Sequence, residues 1–502
     1  MKGESQYIDM TTEERRVRDF GLIFYLWFLL TLAAYAFGAY SIYQLIINNT
    51  AVVNWVQEQF NSAYALLGNY LWWGLGAAVV LFLVGVIFAY LQVWLMSYIG
   101  AEIINTVVFG IPLVLTGAGI ASFFLFSEVW IGIVFIVPAA FLLFIAVLVG
   151  KRVVLGAKIF EMSNEAVNDE KSSLTPVFFF ATLSLFTFIL GFAAAAFTGA
   201  NISDWVSNQW LEYLVFFVLI YVYLMIHYTM LHFSDAINIC IFKRWNNYKD
   251  SSLKIAIREI WKVKGSIVLF GMFIAFFDAI IKTIQFFANR KFFKGWKKNK
   301  VISVTMKVLR IVFFIFILIL KGLFKILKFL NYYTLTLIVV EKQGFIRSVA
   351  RSADLSLDSA ADIIIGKTGV SIAKGLFSLL TLGVFSTGGF FLGYYWLADQ
   401  LGIPDTVFFW NISYKVGFSI LVALIFFLFG YLPTSAILRP ISTAYKTILF
   451  FHIADPFRGH TGRRTRISPD IQKNIDGIQS EVMETYDKEE RPTWQKPEEA
   501  KA

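Results

Sequence analysis

The chain predicts an all-α, polytopic transmembrane helical bundle, and three observations carry that prediction. Apolar residues fill 58% of 502 positions while charged residues fill only 16%. The apolar residues gather into about ten runs, each long enough to cross the hydrocarbon of a bilayer as a helix. The basic residues, in turn, concentrate in alternate loops, as they do in membrane proteins of fixed orientation.

The runs are 20–45, 71–97, 101–126, 129–149, 174–199, 211–242, 264–287, 309–340, 369–397 and 413–437. The first starts at Phe20, is long and lacks a small-residue cleavage site, so it reads as a retained span rather than a cleaved signal. The second, third and fourth follow one another with almost no loop and are expected to pack as antiparallel neighbours. This gives a cytosolic segment 1–19, a transmembrane domain 20–455 and a polar, partly disordered cytosolic tail 456–502.

Loop charge sets the expected orientation. Arg15, Arg16 and Arg18 precede the first run; Lys151, Arg152, Lys158 and Lys171 occupy 150–173; and Lys243, Arg244, Lys249, Lys254, Arg258 and Lys262 occupy 243–263. Loops 46–70, 127–128, 200–210 and 398–412 hold no Lys or Arg. The first group is expected in the cytosol and the second outside, with Asn-x-Ser/Thr sequons at Asn48, Asn201 and Asn411 in the outer loops. One loop, 288–308, breaks the pattern with Arg290, Lys291, Lys294, Lys297, Lys298, Lys300 and Lys307. Either 264–287 and 309–340 both cross and the rule fails once, or both stay on the cytosolic side as a re-entrant or interfacial pair. Lys321, Lys325 and Lys328 within the second segment suit an interfacial helix.

Two cytosolic stretches have helical periodicity. In 151–168, Val153, Val154, Ala157 and Phe160 recur at near-helical spacing; in 345–361, Phe345, Val349, Leu355 and Leu357 oppose Arg347, Arg351 and Asp354. Both are expected as amphipathic struts on the membrane surface.

No catalytic signature is present: no phosphate-binding loop, no HExxH, no Gly-x-Ser-x-Gly and no Cys/His metal spacing. The chain is therefore read as a non-enzyme without a cofactor. Cys240 is the lone cysteine, so no intrachain disulfide can form. The net charge of +10 lies in loops that meet anionic lipid headgroups, so membrane lipids and not nucleic acid are the expected partners.

Candidate functional residues are the polar ones inside apolar runs, where a charge costs roughly 2.5 kcal/mol or more unless compensated. The run YVYLMIHYTMLHFSDAINIC (221–240) places His227, Leu231, Ser234, Asp235 and Asn238 on one helix face. That face reads either as a substrate- or proton-coupled path or as interhelical bonding that locks the bundle. Tyr221, Tyr223 and Tyr228 flank it and are candidates for a ring cage around a quaternary ammonium. His227, Tyr223, Tyr228, Asp235 and Asn238 are thus the candidate substrate-binding set. Asp278 and Lys282, four apart on one helix, are candidates for ion coupling, with a self-neutralising pair as the other reading.

Several stretches carry a family resemblance. RVRDFGLIFYLWFLL, KRVVLGAKIFEMSNEAV with LTPVFFFATLSL, KGSIVLFGMFIAFFDAIIK, KFLNYYTLTLIVVEKQGFIRSVARSADL and ISTAYKTILFFHIADP resemble, in the same order, segments of the choline transporter-like family. The resemblance implies about ten spans with both termini inside, placement in the plasma membrane, and movement of choline or related cationic amines without direct use of ATP. Two features depart from the family: loop 46–70 is short and cysteine-free, and Tyr445 and Lys446 stand where an acidic residue is common. A non-transporting scaffold or assembly subunit of a membrane complex is the alternative expectation.

Overall fold

A computed structural model describes residues 21–48, 70–125, 150–205, 208–247, 251–289, 300–409 and 412–451, with short pieces between 132 and 144. The expected N-terminal segment, most of loop 46–70, most of the run 129–149 and the tail lie outside the described residues. The helices are α1 (Gly21–Asn48), α2 (Tyr70–Leu125), α3 (Gly150–Asp169), α4 (Leu174–Trp205), α5 (Gln209–Asn246), α6 (Leu253–Ile260) and α7 (Lys264–Asn289). They continue as α8 (Lys300–Leu330), α9 (Thr334–Glu341), α10 (Phe345–Asp358) and α11 (Ala360–Thr381). π-Helical turns at Leu382–Ser386 and Gly393–Leu397 carry the helical path from α11 on to Gln400. A short antiparallel pair, Val407–Phe409 with Ile412–Ser413, precedes α12 (Tyr414–Leu449).

The fold is a helical membrane bundle, as the sequence predicts. Seven stretches among the described residues are long and apolar enough to cross a bilayer, fewer than the ten runs. The difference has local causes. Runs 71–97 and 101–126 are one helix of 56 residues, α2, about 80 Å long at 1.5 Å per residue. The junction Ser97-Tyr98-Ile99-Gly100-Ala101 contains no residue that stops a helix, so the expected turn between antiparallel neighbours is not made. The ring of Phe160 on α3 packs against Gly100, and Ala101 N–H donates to Glu161 Oε2 at 3.3 Å. Run 309–340 also is not one span: α8 ends at Leu330, a turn follows, and α9 begins at Thr334. By contrast, 264–287 belongs to a stretch, Leu253–Gln285, of spanning length and composition.

The loop helices form, but they are more than surface struts. Ile159, Phe160, Ser163, Asn164 and Val167 of α3 are buried, because α3 lies against α2, α11 and α12. On α10, Arg351 turns inward to Glu341, 2.7 Å away, while Ile346 and Leu357 face outward. All eight residues of α9 are buried. The helix ends at Lys342, whose left-handed backbone (φ 53°) breaks it before Gly344. The sequon residue Asn201 is inside α4, its amide donating to Phe197 O, and Asn411 is outside the described residues.

Segments 21–27, 157–170, 240–247, 251–264, 333–352 and 443–451 collect at one end of the bundle. Phe24 meets Trp261, Trp245 Nε1 donates to Asp169, Lys243 donates to Val340 O, and Tyr333 packs on Phe450. Trp245, Tyr333, Tyr445, Phe160, Phe242 and Phe450 are fully buried there. Between helices in lipid the apolar effect offers little, so close packing and hydrogen bonds must hold the spans together. Glycine supplies that closeness at two places. Pro433 leaves the carbonyl of Phe429 without its helical donor, and that carbonyl lies only 2.7 Å from where a Cβ on Gly85 would stand. A Cβ on Gly271 of α7 would fall 2.3 Å from Thr229 Oγ1 and 2.9 Å from Thr229 Cα on α5. Gly271→Val is therefore expected to destabilise the protein by about 1–3 kcal/mol, because backbone must move to admit the side chain. A thermal unfolding midpoint in detergent equal to wild type would contradict this packing.

Candidate functional site

Polar side chains from neighbouring helices meet α5 at two places along its length. At the first, Tyr228 Oη donates to Asp278 Oδ2 at 2.8 Å, and Lys282 Nζ stands 3.1 Å from the same oxygen. One helical turn separates Asp278 from Lys282, so the pair forms on a single face of α7. The two differ in access: the carboxylate side chain is 14% exposed and the lysine 50%. Next to Tyr228, His227 Nδ1 is hydrogen-bonded to Ser184 Oγ of α4 at 2.6 Å. The two α5 rings meet edge to face at 5.2 Å. On the α8 side, Lys328 Nζ lies 4.2 Å from the ring centre of Phe324 and 5.9 Å from that of Tyr228. Tyr221, Phe217 and Phe276 form a further ring cluster on the same pair of helices.

At the second place Asp235 is clasped by Arg439 of α12. Arg439 Nε donates to Oδ1 at 2.7 Å and its terminal nitrogen to Oδ2 at 2.8 Å, with a third bond to Leu231 O at 3.0 Å. The fork of two parallel charged hydrogen bonds is the strong, orienting form of an ion pair. His232 lies with its ring 4.5 Å from that of Phe270, and neither of its nitrogens meets a protein hydrogen-bond partner. Fully buried Asn238 likewise has no protein partner for its amide.

His227, Tyr228, Asp278 and Lys282 are therefore gathered within one interhelical region. Tyr223 is not among them. Its phenol donates to Ala34 O of α1 at 2.7 Å and its ring covers Gly191 of α4. Asp235 and Asn238 sit further along α5, and Asp235's two oxygens are occupied by Arg439. Among the described residues no cluster of three or more His, Cys, Asp or Glu could hold a metal ion.

Three contributors escape a sequence reading: Ser184, Lys328 and Arg439. Ser184 is one hydroxyl in an apolar run and carries no signal of its own. Lys328 is visible only as one of several lysines on α8, beside Lys321 and Lys325. Arg439 does carry a signal, being the sole charge between Lys415 and Lys446. The apolar run ends at 437, which leaves this arginine just beyond the span it belongs to.

All of these side chains lie within residues 133–456, the stretch matched by a family model described as plasma-membrane choline transporter. That is well over half of the chain. The protein belongs to this family. Among curated proteins none matches the chain. Membership, together with seven apolar helices of spanning length, makes this family member an integral membrane transporter. Its α1 and α2 lie outside the matched stretch, whereas α4, α5, α7, α8 and α12, which build both polar places, lie inside it.

Proposed function

We propose that the protein moves choline or related cationic amines across the membrane, by facilitated or ion-coupled transport, and that Asp278 and Tyr228 bind the amine. The observation that carries this reading is the state of the Asp278 carboxylate. It is nearly buried between α5 and α7, accepts a hydrogen bond from a tyrosine, and its nearest counter-charge is a half-exposed lysine on a flexible stem. A cationic amine can take the place of Lys282 without changing the net charge of the region, so entry does not bury an unpaired ion. The nearby rings suit such a guest, since ring faces attract a desolvated ammonium. The ammonium of Lys328 against Phe324 is an instance of that contact.

His227 with Ser184, and farther along the unpartnered His232 and Asn238, supply polar groups along α5 with hydrogen-bonding capacity to spare. In this reading they line the path, with His227 as the group able to carry a proton if the transport is coupled to one. Tyr223 and Asp235 hold the helices around the path. The basic end of the bundle is the cytosolic one, following loop charge.

Uptake of labelled choline into proteoliposomes is the test. Saturable uptake that other quaternary amines inhibit is the expected result. A folded, correctly inserted protein that moves no cationic amine in either direction would instead leave the scaffold reading.

A further inference from the structure

At the basic end, far from Asp278 along α7, a second ammonium is held by rings. Lys264, the first residue of α7, is only 8% exposed. Its Nζ lies 4.4 Å from the ring centre of Tyr25, 4.6 Å from that of Trp261 and 5.0 Å from that of Phe24. It also donates to Tyr25 Oη at 3.0 Å. Among the described residues no carboxylate pairs with it. The helical path runs without a break from Leu253 through Trp261–Val263 into α7, so Lys264 sits within a helix, with no free helix C-terminus beside it to favour its charge. A buried lysine in that position, lacking a carboxylate among its described neighbours, is held chiefly by three ring faces. Such an arrangement recognises an ammonium as such and makes no use of hydrogen-bond direction beyond one phenol.

The box is also built to open. Phe24 is its fixed wall, buttressed by Trp27 and Phe233. Tyr25 and Trp261 are its outer walls and are 55% and 54% exposed. The four-carbon stem lets the Lys264 ammonium swing outward between them toward lipid phosphates. Two of the walls come from α1, outside the family-matched stretch, and the third from the turn that leads into α7.

We propose that the Phe24–Tyr25–Trp261 box is an exchangeable quaternary-ammonium site, in which Lys264 is a tethered occupant that a trimethylammonium group displaces. That chemistry has two sources here, a free amine such as choline or the headgroup of phosphatidylcholine. The free-amine source rests on the transport reading above; the box itself does not. A tethered competitor acts at high effective concentration, so the site has low affinity and releases its guest readily, as suits a point of entry or exit.

Lys264 itself reports the exchange. The wild-type protein is placed in phosphatidylglycerol nanodiscs, treated with an amine-acylating reagent, and its peptides are read by mass spectrometry. Tetramethylammonium, which the reagent cannot modify, is expected to raise acylation of Lys264 about ten-fold over sodium at equal ionic strength. The exposed Lys254 is the control and should not respond. Choline acting in the same discs identifies the soluble amine as the guest. High acylation in phosphatidylcholine discs without any additive identifies the headgroup. Trp261→Ala should leave Lys264 highly acylated and indifferent to all of these. A wild-type Lys264 whose acylation changes in none of the arms, or changes only in step with Lys254, overturns the proposal. Choline uptake with an unresponsive Lys264 would sink the box alone; a responsive Lys264 without uptake would sink the transport reading alone.

Discussion

Arg439→Ala should be among the most destabilising single substitutions in the bundle, by about 3 kcal/mol, which is what removing one partner of a largely buried ion pair costs. The lower end of the usual range applies because 29% of the Arg439 side chain and 20% of Asp235 remain accessible. The loss is not the value of an attraction. It arises because Asp235, held mid-helix on α5, is left as an uncompensated carboxylate, and because Leu231 O loses a donor as well. A lower thermal midpoint in detergent and a shift of the purified protein toward aggregate are the expected readouts. Replacing both partners by apolar residues of similar size, Asp235→Leu with Arg439→Met, should recover most of the stability, since no buried charge then remains. The same double variant separates two roles for Asp235. If the pair only fastens α5 to α12, the recovered protein transports at close to the wild-type rate. If it folds and transports nothing, Asp235 belongs to the path.

This pair also marks where a sequence reading reaches its limit. Helix type and the position of most spans are legible, because each rests on local periodicity or on the cost of polarity in hydrocarbon. Partners are not legible. Asp235 looks the same in sequence whether it faces a cavity or the arginine more than 200 residues later that clasps it. Tyr223 and Tyr228 are five residues apart and equally promising as ring-cage candidates, yet one bonds to α1 and the other to Asp278 on α7. The α2 junction fails for another reason. A long apolar run interrupted by Ser97 and Gly100 reads as a turn, but neither residue stops a helix, and only packing on α3 decides the outcome. Periodicity puts Arg351 on the polar side of α10, and its inward turn is hidden for the same kind of reason. Its partner Glu341 lies ten residues away across a loop, where helical periodicity gives no guidance.

Asp278→Asn should weaken uptake of a cationic amine about ten- to a hundred-fold in apparent affinity, corresponding to loss of a charged hydrogen-bonding partner worth about 1.5–3 kcal/mol. The asparagine keeps the size of the carboxylate and can still accept from Tyr228, so the fold should survive; what changes is charge. Lys282 and Lys328 are then left without that carboxylate, and they repel the incoming cation where before they were partly neutralised. Lys282→Met should act in the opposite sense. It removes the resident competitor for Asp278 and should lower the KM for choline by several-fold, as expected for a pair whose lysine is half-exposed and solvent-screened, worth about 1 kcal/mol. Tyr228→Phe should fall between wild type and Asp278→Asn, since it takes away one bond and keeps the charge. The opposite signs at two residues one helical turn apart are the decisive feature, because general damage to α7 would impair both variants alike. If Lys282→Met loses uptake as severely as Asp278→Asn, the pair is a structural clasp and amine binding must be sought elsewhere on α5. If Asp278→Asn leaves the KM unchanged, the carboxylate does not meet the substrate at all.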